Sequence, residues 1–508
     1  MSFFLRHVRE MGAALSSTSK SWRRDDNEEV NLDALPNELL LCIFEYLSEE
    51  ELLRVRVVCR RWRDVALSDA LWRSRELVLG MGRHFSPCWR LILARAPCVG
   101  KVWFSARWAL NRFDIDDLQC AILKLDLRDI EELGSEDMKR LSAMVSRQAI
   151  LDGLRGLRLH VSPQDTTQDF TEMFKAIGKC AVERLMVRLW DNGLLRCSPE
   201  ALVPRCPGTL KKLSYVAAGV WPDPWLQSLL QHHATSLEKV RLFNPSLRFP
   251  CSLLAECSNL RLLDCPLLPG MDSLLHCRQL KELRLEIGRN PGNKLSFCSR
   301  STEDGSLSFS TLLQGAVLFS RAATHLQILR IGVLTDADPD AAMWSVRALR
   351  DIVAAIASSG QALLGTLSIS SPRDPQGGTA WLGDVLDLLP GLPHLEYLEL
   401  FTSDLPPASV LRALTPASAP ALRAMRLPWD LGPHRQHMAE IRSMLARCPA
   451  AHVTGLMLLG RDRGGDWEGL AQELGLPIDC RFNLYAHPAS QKCHLHATTL
   501  ASDPWFRI

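Results

Sequence analysis

Residues 35–73 read LPNELLLCIFEYLSEEELLRVRVVCRRWRDVALSDALWR, and the large side chains recur at helical spacing. Pro36 suits the first turn of a helix, where a missing N–H leaves no bond unmade. Beyond it, Leu39, Ile43, Phe44 and Leu47 fall at i, i+4, i+5 and i+8 and form an apolar stripe. Ser48 with Glu51 three residues on makes a capping box for a second helix. Leu52, Val55, Val58, Cys59 and Trp62 mark a second stripe, and a third short helix is expected to carry Leu71 and Trp72. A unit of about 45 residues is too small to bury so many large side chains by itself. Some of this apolar surface is therefore expected to meet either a partner protein or the domain that follows.

The same stretch resembles an F-box. The resemblance runs through Leu35, Pro36, Glu38, Ile43, Phe44, Tyr46, Leu47, Leu52, Val55, Val58, Cys59, Trp62, Arg63, Leu71 and Trp72, in order, and covers under a tenth of the chain. It implies docking on a Skp adaptor, which hangs on a cullin scaffold that recruits the ubiquitin-charged conjugating enzyme. The adaptor-facing residues it implies are Leu35, Pro36, Leu39, Ile43, Phe44, Leu47, Leu52, Val55, Val58, Cys59, Trp62, Leu71 and Trp72. An amphipathic helical surface in a partner's apolar groove is a common recognition mode. Trp62 and Trp72 are of the aromatic type that dominates such interfaces, or else they fill the small domain's core.

Further along, the pattern L-x-x-L-x-L recurs. Copies stand at Leu154-Leu157-Leu159, Val182-Leu185-Val187, Leu210-Leu213-Tyr215, Leu237-Val240-Leu242, Leu260-Leu263-Cys265 and Leu280-Leu283-Leu285. Others follow at Leu326-Leu329-Ile331, Leu364-Leu367-Ile369, Leu395-Leu398-Leu400, Leu422-Met425-Leu427 and Val453-Leu456-Leu458. Val99-Val102-Phe104 and Ile122-Leu125-Leu127 are weaker, earlier copies. Helical patterns fill several intervals, at Phe170–Ile177, Trp225–His232, Leu349–Ile356 and Met438–Leu445. One strand and one helix cannot bury an apolar face alone, so neighbouring repeats must stack. The strands resemble leucine-rich repeats, but the family's Asn or Cys after the last leucine is missing: Ser162, Trp190, Pro245, Gly288 and Arg461 hold such positions. An asparagine ladder therefore cannot hold the turns. The interval from Leu285 to Leu326 is long and contains GRNPGNKLSFCSRSTEDGSLS, read as an exposed loop, and Pro372–Gly378 is a second.

The expected organisation is a tail at 1–30, an F-box at 31–76, repeats at 77–461 and a capping region or tail at 462–508. The expected fold class is α/β, an all-helical F-box followed by an irregular leucine-rich-repeat solenoid whose curved parallel sheet carries outer helices. The residue between the last two leucines of each repeat alternates to the exposed, concave side of the sheet. Basic residues outnumber acids there, and Arg158, Arg184, Arg188, Lys212, Lys239, Arg241, Arg284 and Arg330 are candidate contacts for an acidic or phosphorylated substrate segment. Glu282, Glu286 and Asp264 dilute the strip, and a solvated face that merely resists aggregation fits the same pattern.

The whole chain of 508 residues carries a net charge of only +2, which disfavours nucleic acid or a membrane surface as the global partner. None of its 16 cysteines forms a C-x-x-C pair, and the one N-x-S string, at Asn244, has a proline in the middle. A reducing compartment, cytosol or nucleus, is the simplest account. The basic, serine-containing start at Met1–Arg24 is expected to be a polar tail, with a transit peptide as the rival reading. No phosphate loop, zinc-protease motif or nucleophile elbow occurs. His487, Cys493, His494 and His496 match no standard metal spacing, so no cofactor is expected. The reading is a non-catalytic subunit of a Skp–cullin–F-box ubiquitin ligase that marks a substrate protein for degradation. An adaptor-bound scaffold without a ubiquitination role is the alternative.

Overall fold

The computed structural model describes residues 35–80, 88–112, 117–130, 133–161, 170–189, 206–217, 224–243, 249, 251–288, 309–334, 339–360, 363–371, 380–402, 408–429, 438–448, 452–457 and 482–483. The expected N-terminal tail, the two expected loops and the His487–His496 cluster lie outside them. The chain divides into two compact units, Met1–His160 with Glu172–Val182, and Val161–Thr171 with Glu183–Ile508.

The first unit opens with four short helices: α1 (Asn37–Glu45), α2 (Glu49–Val55), α3 (Arg60–Ala66) and α4 (Asp69–Trp72). Ser48 caps α2 as expected, its side chain accepting from Glu51 N–H while the Glu51 carboxylate accepts from Ser48 N–H. The second apolar stripe is broken into two helices. Cys59 is extended (φ −151°) and its Sγ accepts from Trp62 N–H at 3.3 Å, so the thiol caps α3 in place of a hydroxyl. Phe44 and Trp62 meet edge-on, with ring centroids 5.5 Å apart. Trp72 is fully buried and donates its indole N–H to Ala66 O at 2.7 Å.

Strands β1 (Glu76–Leu79), β3 (Lys101–Ser105), β5 (Lys124–Arg128) and β6 (Gly156–Val161) follow and pair in parallel in that order. Short β2 (Cys98–Val99) and β4 (Ala121–Ile122) pair beside them. The helical segment is fastened to β3 through backbone: Gly100 N–H donates to Trp72 O and Lys101 N–H to Arg75 O, both at 3.0 Å. A Cβ at position 100 would lie 2.0 Å from Arg73 O, so only glycine permits this approach. The two weak early repeats are real strands. β1, with Leu77 and Leu79 buried, is a further copy that the triplet pattern missed.

The second unit holds β7 (Arg184–Leu189), β8 (Lys212–Ala217), β9 (Lys239–Phe243), β10 (Leu262–Pro266), β11 (Glu282–Gly288) and β12 (Ile328–Leu334). It continues with β13 (Thr366–Ser371), β14 (Tyr397–Thr402), β15 (Ala424–Trp429), β16 (His452–Met457) and β17 (Phe482–Asn483). Each pairs in parallel with the next in sequence, one strand per repeat. Alternate residues point inward: Val240 and Leu242, Leu263 and Cys265, Leu283 and Leu285 are buried on successive strands. Each such leucine contributes roughly 1.5–3 kcal/mol of burial.

Backbone bonds join successive repeats at the start of each strand. Glu183 O accepts from the N–H groups of both Lys211 and Lys212, and Lys211 O from both Glu238 and Lys239. The same two-on-one bond recurs through Glu238, Arg261, Lys281, Gln327, Gly365 and Glu396. The N–H groups that lead into each of these strands are thus paired with the neighbouring repeat. The four helical intervals are helices, at Thr171–Lys179, Pro224–His233, Pro339–Ser358 and Met438–Arg447. Others were not anticipated, among them Ser135–Ile150 and Phe309–Ala322, the latter just after the stretch read as loop.

Candidate functional site

Helix α1 is apolar on two faces. Leu40, Phe44 and Leu47 are buried in the helical unit's own core. Leu39, Cys42, Ile43 and Tyr46 fall at i, i+3, i+4 and i+7 on the other side. Leu39 is 50% exposed, Tyr46 73%, Val57 70% and Val58 59%, while Cys42 is exposed and Ile43 half-buried. A helix that is apolar all round is normally covered all round. Here only one face is covered by the described residues of the chain itself. Val57 and Val58 stand at the corner between α2 and α3, where the chain turns to reach the Cys59 cap. Arg61 ties the start of α1 to α3 by bonding Leu35 O and the Asn37 side chain.

The thirteen residues expected at an adaptor interface therefore separate. Phe44, Leu47, Leu52, Val55, Trp62, Leu71 and Trp72 are buried within the unit and hold its shape. Pro36, Leu39 and Val58 are exposed, and Leu35, Ile43 and Cys59 are half-buried, so these can reach a partner. Tyr46, Val57 and Cys42 are exposed and were not among the thirteen. Cys42 and Tyr46 stand at helical spacing with Leu39 and Ile43, but that spacing does not say which face of α1 the core covers.

The basic strip also separates. In the first unit, Arg158 pairs with the buried Asp126 at 3.2 Å, which also takes Arg128 at 3.1 Å. In the second, Arg241 pairs with Asp264 at 3.1 Å and Arg284 with Glu282 at 2.8 Å. Arg330 reaches Glu282 at 3.4 Å and Glu399 at 3.3 Å, and Arg426 lies 3.9 Å from Glu399. These arginines are engaged with acids on their own sheet. Arg184, Lys212 and Lys239 stand in one register row and have no carboxylate at ion-pair distance among the described residues. Burial, then Lys239, then Arg184, hold the Lys212 ammonium below its ordinary pKa, against an opposing pull from Glu238. Arg188 is half-buried further along β7.

Glu286, on the same open face, is pushed up to about 7 by burial and by Asp264. Burial likewise raises the thiols of Cys251, Cys257, Cys265 and Cys277, which disfavours their thiolate forms. Among the described residues no group of three or more His, Cys, Asp or Glu side chains could hold a metal ion. No described helix is long and apolar enough to cross a membrane.

Residues 32–77 match the F-box-like family model. Over 43 residues the chain is 44% identical to F-box/LRR-repeat protein 5 of Salmo salar, a stretch covering 8% of this chain and 6% of that protein. The chain thus matches only a small part of that relative's length. Among solved structures, a leucine-rich repeat-containing protein from Legionella pneumophila is similar with a TM-score of 0.30 and 12% identity, over 63% of this chain and 97% of that one.

Proposed function

With residues 32–77 an F-box-like domain, we propose that the chain is the substrate-recognition subunit of a Skp–cullin–F-box ubiquitin ligase. The observation that carries this reading is the second apolar face of α1, Leu39, Cys42, Ile43 and Tyr46, together with the Val57–Val58 corner. Large apolar groups left in water on a small helical unit mark a docking surface. An adaptor groove that covers the α1 stripe completes the burial that the chain leaves undone. Leu35, Pro36 and Cys59 border this surface in the proposal.

The repeats then hold a substrate protein on the open face of the sheet. The chain performs no covalent step itself. It raises the effective concentration of a substrate lysine near the charged conjugating enzyme, which is catalysis by proximity. The test is capture of the Skp adaptor and the cullin by the intact chain and by a Leu39→Asp, Val58→Asp variant. Both partners are expected with the intact chain and neither with the folded variant. Failure of the intact chain to capture the adaptor sinks the proposal. Adaptor without cullin turns it into a scaffold reading.

A further inference from the structure

The open face of β7–β9 balances its charge differently from the strands that follow. Register sets Arg184 beside Lys212 and Lys239, Met186 beside Ser214 and Arg241, and Arg188 beside Val216 and Phe243. These nine positions hold five basic residues and no acid. From β10 onward the same face carries Asp264, Glu282, Glu286 and Glu399, and Arg284 and Arg330 are consumed by ion pairs. Arg241 belongs to that paired group through Asp264. The first row does not.

Adjacent strands lie about 4.8 Å apart, so the Cα atoms of Arg184, Lys212 and Lys239 span about 10 Å. Like charges directly opposite one another destabilise a sheet. Arg184 is exposed, and Lys212 and Lys239 are half-buried. An anion laid along the row removes the repulsion and gains charge-assisted hydrogen bonds.

The rest of the face selects among anions. Met186, Val216 and Phe243 are half-buried apolar side chains within the same three strands. A ligand that matches both features carries acids along one edge and apolar groups along the other. Acidic side chains at i and i+4 of a helix stand about 5–6 Å apart, close to the strand spacing. Single-stranded nucleic acid wants several aromatic platforms for its bases, and this face offers only Phe243.

We propose that the open face of β7–β9 docks an acidic amphipathic helix of a protein partner, its carboxylates on the Arg184–Lys212–Lys239 row and its apolar side chains on Met186, Val216 and Phe243. This rests on the receptor reading above and names the surface and the partner chemistry for it. The partner helix crosses the three strands rather than following them.

The test uses the full chain and a labelled synthetic peptide of about 18 residues, with glutamates at i, i+4 spacing beside a leucine stripe. Fluorescence anisotropy is compared for the intact chain and an Arg184→Gln, Lys212→Gln, Lys239→Gln variant whose melting curve is unchanged. The intact chain is expected to bind the peptide. The variant is expected to bind at least tenfold more weakly and to lose most of the salt dependence. A glutamine version of the peptide is expected to bind as poorly as the variant does. Equal binding by intact chain and variant, no binding at all, or preference for a single-stranded oligonucleotide or a phosphoserine peptide overturns the proposal. Adaptor capture is scored on the same samples. An intact chain that captures the adaptor but does not bind the peptide fails this inference alone, whereas an intact chain that does not capture the adaptor fails the receptor reading.

Discussion

Shaving the Val57–Val58 corner separates docking from folding. Val57→Ala with Val58→Ala removes two methyl-sized groups from each side chain, worth about 1.6 kcal/mol per residue when fully buried. Val57 is 70% exposed and Val58 59%, so that share is what an adaptor can still cover. The expected loss on docking is then about 2 kcal/mol for the pair, roughly thirty-fold in Kd. The buried remainder costs folding only about 1 kcal/mol. Calorimetric titration of the full chain with purified Skp adaptor reads the first number, and urea melts read the second. Phe44→Ala is the opposite control. That ring is fully buried against Trp62, so its loss of about 3–5 kcal/mol falls on folding first. A double alanine variant that stays folded and binds the adaptor within threefold of the original refutes the placement of the docking surface.

Trp72→Ala is expected to cost about 3–5 kcal/mol, since it leaves a cavity and an unpaired Ala66 carbonyl; a lowered denaturation midpoint of the first unit checks it. Glu286 prefers its protonated form in the folded chain, so the stability it permits is present below its unfolded pKa of 4.5 and is lost as pH rises through about 7. Glu286→Gln is therefore expected to raise the melting temperature at pH 8 and to change it little at pH 5; equal shifts at both pH values contradict the burial cause. Under native conditions a thiol reagent is expected to label exposed Cys42 within minutes, while Cys251, Cys265 and Cys277 react only on unfolding, as mass-spectrometric mapping can show.

Sequence alone determined the elements whose cause is local. Apolar spacing marked the strands from Val102-Phe104 to Met425, because period-two burial is written directly into L-x-L. The capping box at Ser48–Glu51 is equally local, and so was the resemblance of residues 35–73 to an F-box. Local pattern failed where a helix has two apolar faces: nothing in Leu39, Leu40, Ile43 and Phe44 by themselves says which face of α1 meets the core. Packing of α1 on Trp62 and Trp72 settled that: it left Leu39 and Val58 of the expected set exposed and added Cys42, Tyr46 and Val57 to them.

Charge was the second thing only tertiary structure decided. A list of basic residues on one side of the strands treats Arg158, Arg241, Arg330 and Lys212 alike. Cross-strand register separates them, because Arg330 finds Glu399 across 69 residues of sequence and Arg158 finds Asp126 across 32. Arg184, Lys212 and Lys239 stand side by side, with no carboxylate at ion-pair distance among the described residues. Whether a cation is neutralised depends on distances of a few ångströms between repeats, and those distances are set by stacking rather than by any repeat's own sequence.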